Sequence, residues 1–221
     1  MAYFPIYIDL KDKKCVVVGG GRIALRKIEL LHQFGAKITV IAPFICDDIY
    51  NNYLDDNSIH ITLINRDFLD SDICDAEIVV AATDDEKLNS HISDLCKKRN
   101  LPVNVVDVKE ECTFIFPAMI KKGELVISIS TGGSSPAMAS KIRENIESVI
   151  PDYYSGLIEF LGDYRDYIKS EIHSQEQRKK VYNEFIEIVE KNQENMSIDS
   201  INKVIDKYKI LQEGDFGPDG I

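Results

Sequence analysis

No stretch of this chain approaches the roughly 20 consecutive apolar residues that a membrane-spanning helix needs. The opening Met1-Ala2-Tyr3-Phe4-Pro5 has neither the basic segment nor the long apolar segment of a secretory signal, so a soluble, cytoplasmic protein is expected. Cysteine offers no framework. The five thiols, at Cys15, Cys46, Cys74, Cys96 and Cys112, are odd in number and never spaced C-x-x-C, which speaks against a disulfide scaffold and a zinc knuckle. The four histidines (His32, His60, His91, His173) are equally dispersed, so no dedicated metal site is expected. Positive charge is in deficit as well. With 26 basic against 37 acidic residues the formal net charge is −11, which makes duplex nucleic acid and anionic membranes poor partners. An anionic small molecule stays open, because a few local cations can hold one.

What the chain does have is a rhythm. Its 221 residues, 44% of them hydrophobic, suffice for one medium α/β domain and a smaller attached unit. Short β-branched runs alternate with helical stretches from Lys14 to about Asn104. Strands are predicted over 15–18, 37–41, 59–64, 77–81 and 103–106, with helices over 23–34 and about 85–99. The strands lack internal polar alternation, the mark of a parallel sheet covered on both faces. After Asp107 two strands are predicted, Thr113 to Met119 and Leu125 to Ser130, with Lys121-Lys122-Gly123-Glu124 as their turn. A helix from Pro136 to about Val149 stops before Pro151. Beyond Tyr153 the pattern is helical, with apolar stripes Leu157/Leu161/Tyr164/Ile168, Tyr182/Phe185/Val189 and Ile198/Ile201/Ile205/Tyr208. A loose tail is expected over 214–221.

Val18-Gly19-Gly20-Gly21-Arg22-Ile23-Ala24 fits G-x-G-x-x-A between the first strand and the first helix. Gly19 permits the sharp turn, Gly21 lets a pyrophosphate approach the helix N-terminus, and Ala24 permits tight helix–sheet packing. One element of that fingerprint is missing. The acid that should follow the second strand and bind the adenosine ribose is replaced by Ile41-Ala42-Pro43-Phe44, and no arginine sits there to favour a 2′-phosphate. The motif therefore does not choose between NAD and NADP. Asp107 follows the strand 103–106 at its carboxyl end, on the edge where open α/β sheets bind ligands; a turn aspartate capping the strand is the plainer reading. Asp84 and Asp85 read as helix N-terminal carboxylates. The segment Ser130-Thr131-Gly132-Gly133-Ser134 is a donor-rich lip that binds substrate carboxylates or simply starts the next helix.

Six blocks in order carry a family likeness: Phe4-Pro5-Ile6-Tyr7-Ile8-Asp9-Leu10 before the glycine turn, Ala24-x-Arg26-Lys27, Ala81-Ala82-Thr83-Asp84-Asp85, Asn104-Val105-Val106-Asp107, Phe114-Ile115-Phe116-Pro117-Ala118, and Ser130 to Pro136. Over about residues 3 to 150 the chain resembles the precorrin-2 dehydrogenase/sirohydrochlorin ferrochelatase family, the N-terminal module of siroheme synthases. The resemblance implies an α/β fold: a Rossmann-type parallel sheet (1–112), a small α+β dimerisation region (113–150) and a C-terminal helical domain (151–213), working as a homodimer on an acidic tetrapyrrole. It implies NAD as hydride acceptor, held by Gly19, Gly21, Arg22, Ile23, Pro43, Phe44 and Thr83, and Asp107 as the catalytic carboxylate. Asn104 and Ser130, Thr131, Gly132, Gly133 and Ser134 become candidate substrate residues, with Arg22, Arg26, Lys27, Lys141 and Arg143 the cations to test. The expected reaction is dehydrogenation of precorrin-2 to sirohydrochlorin. A bifunctional enzyme that also inserts iron in the same pocket, and a non-catalytic NAD sensor, are the alternatives. No methyltransferase module is expected within these 221 residues.

Overall fold

Parallel strands buried on both faces need mostly apolar side chains, and the first half of the chain supplies them. The structure, a computed structural model, describes residues 3–53, 60–192 and 196–214. The order is β1 (Lys14–Val18), α1 (Arg22–His32), β2 (Lys37–Ile41), α2 (Asp47–Tyr53), β3 (Ile61–Ile64), β4 (Ile78–Ala81), α3 (Glu86–Lys98) and β5 (Val103–Val105). The five strands form one parallel sheet in the order β3-β2-β1-β4-β5. Alternation across the strands sorts the core into two layers. Cys15 and Val17 face Ala24, Ile28 and Leu31 of α1 and Ile49 of α2, while Val16 and Val18 face Ile92 and Cys96 of α3. The apolar positions of α1 and α3 recur three and four residues apart, so each helix buries one stripe.

The strand order reverses at β1: β2 and β3 lie to one side of it, β4 and β5 to the other. The carboxyl ends of β1 and β4 thus flank a switch point, the place where doubly wound sheets leave room for a ligand.

The chain divides into two compact units, the first running to Phe116 and including Gly132–Ser134, the second holding Pro117–Thr131 and everything from Ser135 onward. In the second unit β6 (Ala118–Lys122) and β7 (Leu125–Ile129) pair antiparallel, and α4 (Pro136–Glu147) packs on β6. Then α5 (Tyr153–Asp163), α6 (Arg165–Glu171), α7 (Gln175–Asn192) and α8 (Ile198–Gly214) enclose Ile168, Ile172, Val181, Phe185, Ile201, Val204 and Ile205. Ser135 caps α4 by accepting the Met138 N–H at 3.3 Å, with Pro136 at the first position of the helix.

Three sequence expectations change. Thr113–Pro117 forms no strand. The N–H groups of Thr113 and Phe114 both turn to the Val103 carbonyl, Phe114 and Phe116 pack into the sheet core, and β6 begins only after Pro117, which has no N–H to donate. The hairpin turn is Gly123-Glu124 alone, since Lys122 already pairs with Leu125. Ile198 is exposed at the start of α8, and the stripe begins at Ile201. Ile59, the expected start of the third strand, and the tail 215–221 lie outside the described residues.

Candidate functional site

The β1–α1 turn is built around close backbone approaches. A Cβ on Gly19 would stand 2.2 Å from the Ala82 carbonyl oxygen beyond β4, and one on Gly20 would stand 2.2 Å from the Phe44 carbonyl oxygen beyond β2. These two glycines wedge the turn between the exits of the neighbouring strands. Gly21 differs: nothing lies within 4 Å of its Cβ position. It is the N-cap of α1, and no side chain caps that helix, whereas Asp85 caps α3 by accepting from Lys87 and Leu88 N–H at 2.9 and 3.2 Å. The first-turn N–H groups of α1 are thereby left for an anion at the positive end of the helix dipole, so this turn fits a dinucleotide pyrophosphate.

A cleft of about 730 Å³ opens from this turn. Gly19, Gly21, Arg22, Ile23, Pro43, Phe44, Thr83 and Asp107 all line it, as do Asp67, Phe68, Asp84, Asp85 and Leu88, which sequence reasoning did not place there. Thr83 shapes the rim. Its hydroxyl donates to Asn89 Oδ1 at 2.7 Å, and buried Asn89 returns a hydrogen bond to the Thr83 carbonyl at 3.0 Å, which stiffens the β4–α3 turn. Phe44 presents a face that is 75% exposed beside Pro43, a flat apolar surface suited to a nucleobase.

Asp107 leaves the carboxyl end of β5 with φ at 60°, in the left-handed region. The segment around it is braced. Val105 N–H donates to Cys112 Sγ and the thiol donates back to the Val105 carbonyl, both at 3.1 Å, while Ser93 Oγ of α3 donates to the Glu111 carbonyl at 2.7 Å. Burial pushes the Cys112 thiol above its ordinary value, which keeps the proton it donates. Lys27 of α1 lies half-buried, with Nζ 4.2 Å from the centre of the Phe116 ring. Burial pulls its ammonium below the usual lysine value, and the nearby Cys112 and Asp107 work in the opposite direction.

The remaining candidates lie elsewhere. Asn104 is buried and commits its amide to the Phe114 carbonyl at 3.1 Å, so it does not line the cleft. Gly132, Gly133 and Ser134 belong to the first unit without lining the cleft, and Lys109 Nζ donates to the Gly132 carbonyl. Ser130 and Thr131 fall in the second unit, where Thr131 Oγ1 accepts the Ser135 N–H at 3.1 Å. Lys141 and Arg143 are ion-paired along α4 with Glu144 and Glu147. Among the described residues no group of three or more His, Cys, Asp or Glu is placed to hold a metal ion, and no helix is long and apolar enough to cross a membrane.

Comparison with known proteins matches this geometry to a lineage. A family model described as "putative NAD(P)-binding" covers residues 6–118, and one described as sirohaem biosynthesis protein central covers 122–148. A siroheme synthase of Thioalkalivibrio sulfidiphilus is 42% identical over 187 residues, 85% of this chain and 38% of that one. A siroheme synthase of Ruthia magnifica is 40% identical over 179 residues, 81% of this chain and 37% of that one. The chain thus spans under two-fifths of the length of these curated relatives. The solved structure of SirC, a precorrin-2 dehydrogenase, superposes with a TM-score of 0.69 at 26% identity, over 94% of this chain and 99% of SirC. The chain belongs to the family whose model is described as putative NAD(P)-binding and carries the sirohaem biosynthesis central segment after it, as its likeness to the siroheme synthases and to SirC also indicates.

Proposed function

We propose that this chain dehydrogenates precorrin-2 to sirohydrochlorin with NAD⁺, in siroheme biosynthesis. The observation that carries the reading is that one cleft is lined both by the uncapped α1 turn and by Asp107 at the β5 end. NAD held over the turn supplies the hydride acceptor. The chain's own residues do the rest. The first-turn N–H groups of α1 hold the pyrophosphate, Pro43 and Phe44 carry the adenosine, and Thr83 with Asn89 fixes the rim. The substrate loses two hydrogens, one as hydride and one as a proton, and the Asp107 carboxylate takes the proton. Gly132, Gly133 and Ser134, which belong to the same unit as the cleft, are the candidates for holding the acidic side chains of the macrocycle, and Asn104 supports the site by fixing Phe114. The region 113–150 serves dimerisation, and the working form is a cytoplasmic homodimer.

The test is anaerobic incubation with precorrin-2 and NAD⁺, following NADH absorbance. NADH formation in step with sirohydrochlorin supports the reading; NAD binding with no NADH produced makes the chain a sensor instead. Addition of Fe²⁺ or Co²⁺ to the product mixture reads chelation separately. Light scattering on the 25.1 kDa chain reads the dimer.

A further inference from the structure

The cleft lacks an acid where Rossmann folds usually keep one. β2 ends at Ile41 and continues through Ala42, Pro43 and Phe44, whose side chains accept no hydrogen bond from a ribose hydroxyl. The neighbouring strand brings one from the side. Ile41 pairs in register with Ile64, and the Ala42 N–H donates to the Ile64 carbonyl at 3.2 Å, so the chain leaves β2 and β3 together. Phe44 lies three residues past Ile41, Asp67 lies three past Ile64, and both line the cleft.

Asp67 is exposed, and among the described residues its carboxylate has no hydrogen-bond or ion-pair partner. Its backbone is held. Arg66 Nη1 donates to the Asp67 carbonyl at 2.8 Å, and Phe68 on the other side packs into the sheet core. The same guanidinium grips both oxygens of Asp72 at 2.7 and 2.6 Å. That grip also occupies the one cation adjacent in sequence that could otherwise welcome a phosphate.

We infer that Asp67 sets cofactor choice, accepting from the adenosine ribose hydroxyls of NAD and repelling the 2′-phosphate of NADP. The inference rests on the dinucleotide reading above and adds the residue that the β2 exit does not provide. A phosphate monoester brings roughly −1.5 to −2 charges at neutral pH. The cleft lining already holds the carboxylates of Asp67, Asp84, Asp85 and Asp107 against the guanidinium of Arg22. Asp84 and Asp85 follow β4 and Asp107 follows β5, so of these only Asp67 stands on the β2 side of β1, where the ribose binds in this fold.

The test is titration calorimetry of NAD⁺, NADP⁺ and ADP-ribose on the full chain and on Asp67→Asn and Asp67→Ser. Loss of a hydrogen bond to a charged acceptor weakens NAD⁺ and ADP-ribose by roughly 10- to 100-fold. NADP⁺ does not weaken, so the preference for NAD⁺ collapses by the same factor. ADP-ribose has no nicotinamide, so its weakening places the effect on the adenosine half. Asp67→Asn with its NAD⁺ preference intact overturns the inference and leaves the dinucleotide reading standing. An unaltered chain that prefers NADP⁺ does the same. An unaltered chain that binds neither dinucleotide overturns both. Thermal midpoints equal to that of the unaltered chain show that binding is read rather than folding, and Asp67→Ser repeats the measurement with a smaller side chain.

Discussion

Asp107 occupies a backbone conformation, φ at 60°, that aspartate and asparagine tolerate and β-branched residues do not. This makes Asp107→Asn the informative substitution, because it removes the proposed base and keeps the turn. The expected outcome is a native unfolding curve, an NAD⁺ affinity close to that of the unaltered chain, and turnover reduced by about 10²–10⁴. Steady-state assay with precorrin-2 checks it, and turnover within a few-fold of the unaltered chain removes Asp107 from the chemistry. The glycine turn offers a paired contrast. Gly19→Ala drives a methyl group into the Ala82 carbonyl, 2.2 Å from the ideal position, at a φ of 123° that L-residues rarely adopt. A loss of roughly 1–3 kcal/mol in urea unfolding is expected. Gly21→Ala meets nothing within 4 Å and keeps its extended φ of −90°, so the chain folds as before. Its new methyl group instead stands in the space proposed for the pyrophosphate, and calorimetry should show weakened NAD⁺ binding. The reverse pattern, with Gly21→Ala unfolding and Gly19→Ala only losing affinity, contradicts the assignment of roles.

At the level of elements, the clamp between Arg66 and Asp72 secures the stretch between β3 and β4 that carries Asp67 and Phe68 into the cleft. The Arg66 guanidinium holds the Asp72 carboxyl below its ordinary value of 3.8, and the Leu69 N–H adds to the effect. A folded-state value below the unfolded one stabilises the chain above pH 3.8, and the contribution fades as pH falls through and below that point. Asp72→Asn should therefore lower the urea midpoint at pH 7, and the gap from the unaltered chain should narrow below about pH 4. A gap that is constant with pH would assign the effect to packing instead. Most elements were legible in the sequence for a local reason. β4 and, after Lys14, β1 are continuous apolar runs, β2 is β-branched throughout after Lys37, and α1 and α3 repeat with a clean helical period. α2 was not, because Asp47–Tyr53 is rich in Asp, Asn and Tyr and buries only Ile49. Residues 113–116 mimic a strand in composition, yet the N–H groups of Thr113 and Phe114 both go to one carbonyl of β5. The site divides the same way. The glycine turn and Asp107 are local patterns, whereas the position of Asp67 depends on the register of β2 against β3, which no window of sequence contains.

Across the whole molecule the five cysteines are a reporter that belongs to the first unit alone, since none lies beyond residue 112. Cys15 and Cys96 are fully buried, and burial pushes their thiols up to about 12 and about 11; Cys112 is buried and also raised. Cys74 is exposed and Cys46 half-buried. Because the thiolate is the reactive form, a maleimide should take Cys74 within the mixing time of a slow assay, while Cys15, Cys96 and Cys112 wait for the sheet to open. Dinucleotide that binds only the closed sheet lowers the open population by the factor 1 + [L]/Kd. With NAD⁺ at about 100 times its Kd, labelling of the three buried thiols should slow roughly 100-fold, and labelling of Cys74 should not change. Mass spectrometry of digested, labelled chain reads each site separately. Slowing at the buried thiols with Cys74 unaffected ties the cofactor to the opening of this sheet. Equal rates with and without NAD⁺ would mean that the cofactor binds outside the first unit, and the cleft between β2 and β5 would lose its role.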